Sequence, residues 1–465
     1  MVENTDISGI GRAIGKTPHA RRALRILDEA GIEAWLVGGC VRDALMGHAP
    51  HDVDIAAGAP WRRSAQAFRA AGCPVHETGT AHGTITAVVE GEPVEVTAYR
   101  IDGAYSDSRR PDSVAPAPDI ESDLARRDFM MNAMAYHPAR GLRDPYGGAG
   151  DVRRGIVRAV GDADARFSED ALRIARAARF ASQLGFSIED ATLRAMDEHA
   201  ARLGAVARER VGAELERLLT GDFAYEALMQ CAEAIEVAVP EVASLRIARD
   251  DAPGEREAAP ATYERMARGV KESPSEAALR WAALLRFSDE ARRDGKPETP
   301  VGEHAARLAG RAMRRLRVRK SVIARAMGAI ASWNLPLDGS DEAALLLACA
   351  VGEQAARDAL ALRRADALAC GGDGRVEDDM LAALDAARER NIPLDVRELA
   401  VSGAAVASLA GARGPLIGRT LDALLAAVVE GAVENDGREL SAYMPRAMAA
   451  ADENLFRKRL EKHLT

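Results

Sequence analysis

The chain has 465 residues, 48% hydrophobic, 29% charged and only 4% aromatic, with a formal net charge of −9. That length is more than one core usually serves and points to about two to four domains or a segmented body. The acidic balance argues against a nonspecific nucleic-acid binder but leaves room for a local basic face. The five cysteines, Cys40, Cys73, Cys231, Cys349 and Cys370, fit no zinc or C-x-x-C spacing. Free thiols in a reducing cytoplasm are the expectation. No apolar run is long enough to span a membrane, and the N-terminus lacks a signal-peptide pattern.

Residues 1–33 read as a helical lead-in with Ala23, Leu24, Ile26 and Leu27 on its apolar side. An apolar run then ends at Gly38 and Gly39, followed by a helical segment opening with Arg42 and Asp43. After a turn near 47–50, a second apolar run carries Asp52 and Asp54. In a strand these two side chains share a face, because the side-chain period is two. Paired carboxylates repel unless a cation lies between them, and a hard divalent ion such as Mg²⁺ also binds phosphate oxygens. The glycines allow backbone N–H groups to approach an anion at a helix start. Taken together, these features read as a triphosphate cradle beside a metal platform. GGCVRDALMG followed by HDVDI resembles motif A of the class II tRNA nucleotidyltransferases and the related bacterial poly(A) polymerases.

Strands are expected at 35–37, 53–56, 84–89, 94–98 and 134–136, with helices at 41–45 and 61–71. The pattern implies an α+β protein. Its first part would be an α/β nucleotidyltransferase head, polymerase-β-like by resemblance, with a mixed sheet. Glu95 lies in a stretch similar to the family's I/V-E-V-x-T-x-R, which implies a third acidic group, either a base or a supporting carboxylate. Residues 103–122 lack periodicity and read as a functional loop. Within it, YSDSRRPDSV resembles the flexible loop of CCA-adding enzymes, which helps the site accept ATP. RRDFMMNAMA, starting at Arg126, resembles motif B, with Met130 where the family has Thr or Ser. Arg127 suits a phosphate, and Asp128 suits a ribose 2′-hydroxyl. Asp144 to Asp151 resembles motif C and reads as a hinge between head and neck.

From about 156 onward the pattern is helical. Ser168 is the expected N-cap of a helix whose Ala171, Ile174, Ala175 and Ala178 form a core stripe. Asp170, Arg173, Arg176 and Arg179 recur every three residues and should line another face. An aspartate accepting from an exocyclic amine and an arginine donating to a ring nitrogen suit cytosine and adenine, whereas uracil and guanine reverse the polarity. On spacing alone, an Asp–Arg surface pair is the simpler reading. EDALR resembles motif D, described as an amino-acid template for CTP and ATP, and that resemblance implies nucleotide binding here. The stretch 208–219 resembles motif E, a helix that buttresses the template.

Arg286-Phe287 stands where some relatives carry a His-Asp phosphohydrolase pair, so no such activity is expected. The run RAMRRLRVRK places Arg311, Arg314, Arg315, Arg317, Arg319 and Lys320 within ten residues and is the candidate tRNA phosphate contact. The end of the chain, 454–463, is again basic. The expected divisions are a catalytic head at 1–155, a helical neck for base recognition at 156–222, a helical body at 223–370 and a tRNA-binding tail at 371–465, in an elongated arrangement. The resemblance, strongest over 35–220, implies a cytoplasmic, Mg²⁺-dependent CCA-adding tRNA nucleotidyltransferase. It would use CTP and ATP on the tRNA 3′ end and acceptor/T arm, with no protein partner evident. A partial A- or CC-adding enzyme, a poly(A) polymerase and an inactive RNA-binding relative are the alternatives.

Overall fold

The computed structural model describes residues 5–50, 52–103, 114–243, 245, 263–287, 301–333, 335, 337–452, 455 and 456. His51, nearly all of YSDSRRPDSV and most of the basic C-terminal end lie outside the described residues. The chain divides into two compact units, one of Met1–Leu218 with Glu226–Ala238, the other of Leu219–Tyr225 with Val239–Thr465.

The first unit opens with α1 (Thr5–Gly15) and α2 (Pro18–Glu29). Pro18 stands in the first turn of α2, where its missing N–H costs nothing, and Ala23, Leu24, Ile26 and Leu27 are buried as the pattern predicts. Next come β1 (Ala34–Val37), α3 (Gly39–Leu45), β2 (Val53–Ala57), α4 (Trp61–Ala70), β3 (Val75–Gly79), β4 (Thr84–Val89) and β5 (Glu92–Ala98). A short ladder, β6 (Arg100–Asp102) with β7 (Val114–Pro116), leads to α5 (Ile120–Ala125), β8 (Ala135–His137), β9 (Gly141–Arg143) and α6 (Gly148–Arg154). The main sheet has the order β3-β4-β5-β2-β1-β8-β9, and it is mixed because β2 and β5 run parallel while the other pairs are antiparallel. All four residues of β1 are buried, as a strand near the sheet centre and covered on both faces requires. β3 reads Val-His-Glu-Thr-Gly and is mostly exposed, so an edge strand carried no apolar signal.

Then follow β10 (Ile156–Val157), α7 (Ala163–Glu169), α8 (Leu172–Leu184), β11 (Ser187–Ile188), α9 (Asp190–His199), α10 (Arg208–Leu219), α11 (Ala224–Gln230) and α12 (Ala232–Ala238). The expected cap at Ser168 is wrong. Ser168 lies inside α7, whose cap is Asp162, and the break falls at Asp170, in extended backbone at φ −139°. The Asp170 carboxylate accepts from the Leu172 amide at 3.0 Å, so Asp170 itself caps the start of α8. Ala171, Ile174, Ala175 and Ala178 are buried as the stripe predicts. Asp144 to Asp151 is a pinned corner rather than a loose hinge. The Asp144 carboxylate accepts from the amides of Gly148 and Ala149 at 2.7 and 2.9 Å. A Cβ on Gly148 would stand 2.0 Å from the Met130 carbonyl oxygen, so only glycine fits. Met130 itself packs half-buried against the cluster of Trp35, Val37, Tyr99 and Leu124, giving the departure from Thr or Ser an apolar use.

The second unit is helical among its described residues. It contains α13 (Tyr263–Glu272), α14 (Ala277–Leu285), α15 (Val301–Arg315), α16 (Lys320–Ala331), α17 (Asp341–Val351), α18 (Glu353–Ala369), α19 (Arg375–Glu389), α20 (Gly403–Ala410), α21 (Pro415–Val429) and α22 (Gly437–Ala449). One core cluster joins buried residues of α17 to α22, including Leu346, Leu360, Leu384, Leu424 and Met444. Arg286 is buried at the end of α14, where its guanidinium donates to Asp366 of α18 at 2.7 Å. Arg265 grips the same carboxylate, at 2.9 Å through Nε and 2.5 Å through Nη2. Losing this one anion takes away the carboxylate that two guanidiniums share. Asp366→Ala should therefore destabilise the second unit by about 3–5 kcal/mol. Trp281 and Trp333 fluorescence during denaturation checks this, and a midpoint equal to the parent's would mean the pair is not energetically needed.

Candidate active site

Asp54 and Glu95 are direct neighbours across the parallel β2–β5 pair, and Asp52 lies two residues before Asp54. Burial first and then the Glu95 carboxylate push the Asp54 carboxyl up to about 6, with Asp52 adding to the effect and Arg127 opposing it. Among the described residues no group of three or more His, Cys, Asp or Glu side chains stands ready to hold a metal ion. The donor chemistry still suits one, since hard oxygen donors with excess negative charge are what a divalent cation neutralises. The thiol of buried Cys40 donates to the carbonyls of Val37 and Asp54 and is pushed up to about 12 by burial, which makes it a packing group.

Gly38 joins β1 to α3 at φ +75°, ψ −135°, a conformation that needs glycine. A Cβ there would meet Arg127 Nη1 at 3.0 Å, so the arginine lies directly against the Gly38-Gly39 turn. Arg42 is buried and already partnered. Its Nη1 donates to Asn132 at 2.8 Å, and its Nε and Nη2 donate to Asp43 at 2.9 and 2.8 Å. Asp128 is also buried and accepts from Arg176 Nε at 2.8 Å. Burial alone would raise its carboxyl, but Arg176 and Arg173 overcome that and hold it at about 2. Phe180 gathers three guanidiniums around its ring, those of Arg42, Arg176 and Arg179, at 5.3, 5.5 and 3.9 Å.

Asp170 and Arg173 do not form the surface pair that spacing alone favours. Their side chains are 16% and 9% exposed. Arg173 donates to Glu169 at 2.8 Å and to the Arg126 carbonyl at 3.0 Å. The second oxygen of Asp170 meets Arg210 only at 3.4 Å, a weak bond that leaves it able to accept elsewhere. Arg179 pairs with Glu214 at 2.6 Å. Arg210 and Glu214 lie one turn apart on α10, so this helix backs both ends of the arginine row. Asp170 precedes α8 rather than continuing its face, and Arg173 and Arg179 are buried rather than lining an open surface.

The basic run is not one helix face. Arg311 and Arg314 are exposed on α15, and Arg315 pairs with Glu241 at 2.8 Å. The helix then ends, Arg317 turns at φ +58°, and exposed Arg319 and Lys320 open α16. A non-glycine residue in that left-handed turn is uncommon, and no sequence period announces it.

Sequence reasoning missed Asn132, Asp123, Phe180, Glu169, Arg210 and Glu214. Only Glu169–Arg173 was findable as an i,i+4 pair, since Arg210 and Glu214 find their partners on other elements. Asn132 meets Arg42 across 90 positions, so nothing local signals it.

A mixed sheet bearing a D-x-D strand, next to a Gly-Gly turn and a row of largely buried arginines, defines a nucleotidyltransferase-type head. The poly A polymerase head domain matches residues 34–158. A second domain, described as the probable RNA- and SrmB-binding site of polymerase A, matches residues 185–245. The CCA-adding enzyme of Geobacillus thermodenitrificans is 35% identical over 447 residues, spanning 93% of this chain and 97% of its own. That of Geobacillus kaustophilus is 34% identical over 442 residues, 90% and 95% of the two chains. The Bacillus stearothermophilus CCA-adding enzyme, solved in complex with CTP, superposes with a TM-score of 0.72 at 28% identity, over 96% of this chain and 99% of that one. The chain belongs to the family of CCA-adding enzymes. Nucleotidyltransferases of this kind work with a divalent metal. No helix among the described residues is long and apolar enough to cross a membrane.

Proposed function

We propose that the chain is a cytoplasmic tRNA nucleotidyltransferase that builds and repairs the 3′-terminal CCA of tRNA from CTP and ATP, without a nucleic-acid template. One observation carries this reading. The acidic strand residues and the Asp170–Arg173 pair fold within one compact unit, joined by the Arg126–Arg127–Asp128 segment. The tRNA's terminal 3′-hydroxyl attacks the α-phosphorus of the incoming nucleotide, and pyrophosphate leaves. Asp52 and Asp54 would hold Mg²⁺, which when bound supplies charge for the triphosphate and acidity at the hydroxyl. Glu95 serves as base or supporting carboxylate. Gly38, Gly39, Arg42, Asp43 and Arg127 cradle the triphosphate, and Asp128 reads the ribose hydroxyl. Asp170 and Arg173 read the base, with Arg176 and Arg179 holding the surrounding frame. The division of labour would be head 1–155, neck 156–222, body 223–370 and tail 371–465.

The test is one incubation with three tRNA transcripts, ending before CCA, after C and after CC, with CTP and ATP supplied singly and together. Completion of all three supports full CCA addition. Extension of only the last, or of only the first two, would point to an A-adding or CC-adding enzyme. Long adenylate tails would point to a poly(A) polymerase.

The exposed basic corner motivates a second expectation. Combining Arg311→Gln, Arg314→Gln and Arg317→Gly should weaken tRNA binding and lower the log–log salt slope by about one unit for each phosphate no longer neutralised. The glycine also relieves the left-handed turn, so loss of folding should not confuse the result. Unchanged tRNA affinity across a salt series would move the interface elsewhere.

A further inference from the structure

Asp123, on α5, is 1% exposed. Its Oδ1 accepts from the Arg126 guanidinium at 2.9 and 3.1 Å and from the backbone amide of Arg100, the first residue of β6, at 3.3 Å. Its Oδ2 accepts from Arg127 at 3.1 Å. Arg127 is the arginine that lies against the Gly38 turn. The Arg126 carbonyl in turn accepts from Arg173. Resting on the functional reading above, we propose that Asp123 is a positioning residue for nucleotide selection. This single carboxylate sets the phosphate-side Arg127 directly and the base-side Arg173 through the main chain of Arg126.

The physical case is one of geometry and charge. A guanidinium on a flexible stem loses conformational freedom when it binds, unless something already holds it. Asp123 holds two neighbouring guanidiniums at once and ties them to the β6–β7 ladder. Burial would raise its carboxyl, but Arg127 and Arg126 outweigh that and keep it below the usual carboxylate range, so it remains an anion at neutral pH. Without it, the Arg126–Arg127 segment loses the carboxylate that holds both guanidiniums, and the carbonyl that orients Arg173 can shift. Both the triphosphate side and the base side should suffer from one substitution.

Equilibrium binding of CTP and UTP to the full chain tests this without needing turnover. Asp123→Asn should weaken CTP binding at least tenfold and reduce the CTP:UTP affinity ratio at least fivefold. Asp123→Glu, which keeps the charge but shifts the carboxylate by one methylene, should show the same changes in smaller degree, and it replaces the asparagine variant if that one does not fold. Combined with Arg127→Ala, the loss from Asp123→Asn should be clearly less than multiplicative, because the two act through one another. Unchanged CTP affinity, an unchanged CTP:UTP ratio or fully multiplicative losses would overturn the proposal. A parent that binds CTP but never extends tRNA would sink the functional reading and leave this measurement standing.

Discussion

Asp54→Ala should lose roughly a thousandfold or more in nucleotide addition, since several kcal/mol of charge stabilisation depend on the paired strand carboxylates. Asp52→Ala should behave similarly. The fold should survive, because Asp54 raises the free energy of the metal-free protein near neutral pH. Its carboxyl titrates near 6 when folded, against 3.8 ordinarily. A folded state that binds its proton more tightly is favoured at low pH, and that advantage is lost as pH rises from about 4 through about 6. Above that range the ionised group costs on the order of 2–3 kcal/mol until a cation compensates it. Melting of the parent at pH 7.5 should therefore rise with added Mg²⁺, while Asp54→Ala should melt at or above the metal-free parent and barely respond. Turnover in the variant within tenfold of the parent would sink the two-aspartate assignment. An equal Mg²⁺ response in both proteins would place the ion elsewhere.

Asp170→Ala should change what the enzyme chooses more than how well it binds. Asp170 and Arg173 are nearly buried, and other groups hold each of them at fixed positions. In such a pocket, a missing or reversed hydrogen bond costs about 1–3 kcal/mol, or roughly ten- to a hundredfold per bond. On a tRNA lacking its CCA, kcat/KM for CTP over UTP should fall by about that factor in the variant. Triphosphate affinity should change less, because the Gly38-Gly39 turn, Arg42 and Arg127 are untouched. Asp170→Ala also removes the cap of α8, at a cost of about 1 kcal/mol in stability. The selectivity ratio, which a stability loss alone would not move, is therefore the decisive reading. An unchanged ratio would make the pair purely structural.

What the sequence determined by itself was whatever has a short period or a local spacing. The D-x-D pair, the Gly-Gly turn, the apolar stripe of α8 and the lead-in helix rest on periods of 2 and 3.6 or on steric needs of single residues, and all are legible one-dimensionally. Tertiary structure decided who partners whom. No spacing shows that Glu95 lies beside Asp54, that Asn132 fixes Arg42, or that Arg42 of α3 reaches the ring of Phe180 on α8. Those pairings depend on the sheet order and on how α8 packs, and a one-residue change in register would abolish them. The Ser168 cap failed for a local reason. Serine, aspartate and asparagine are near-equal caps, so the local signal could not separate Ser168 from Asp170. The break fell where the Asp170 carboxylate could close on the Leu172 amide. Arg317 shows the limit most plainly. Nothing in a run with six basic residues in ten says that the helix must end there, because that was decided by how α15 and α16 pack, at the expense of a strained left-handed turn.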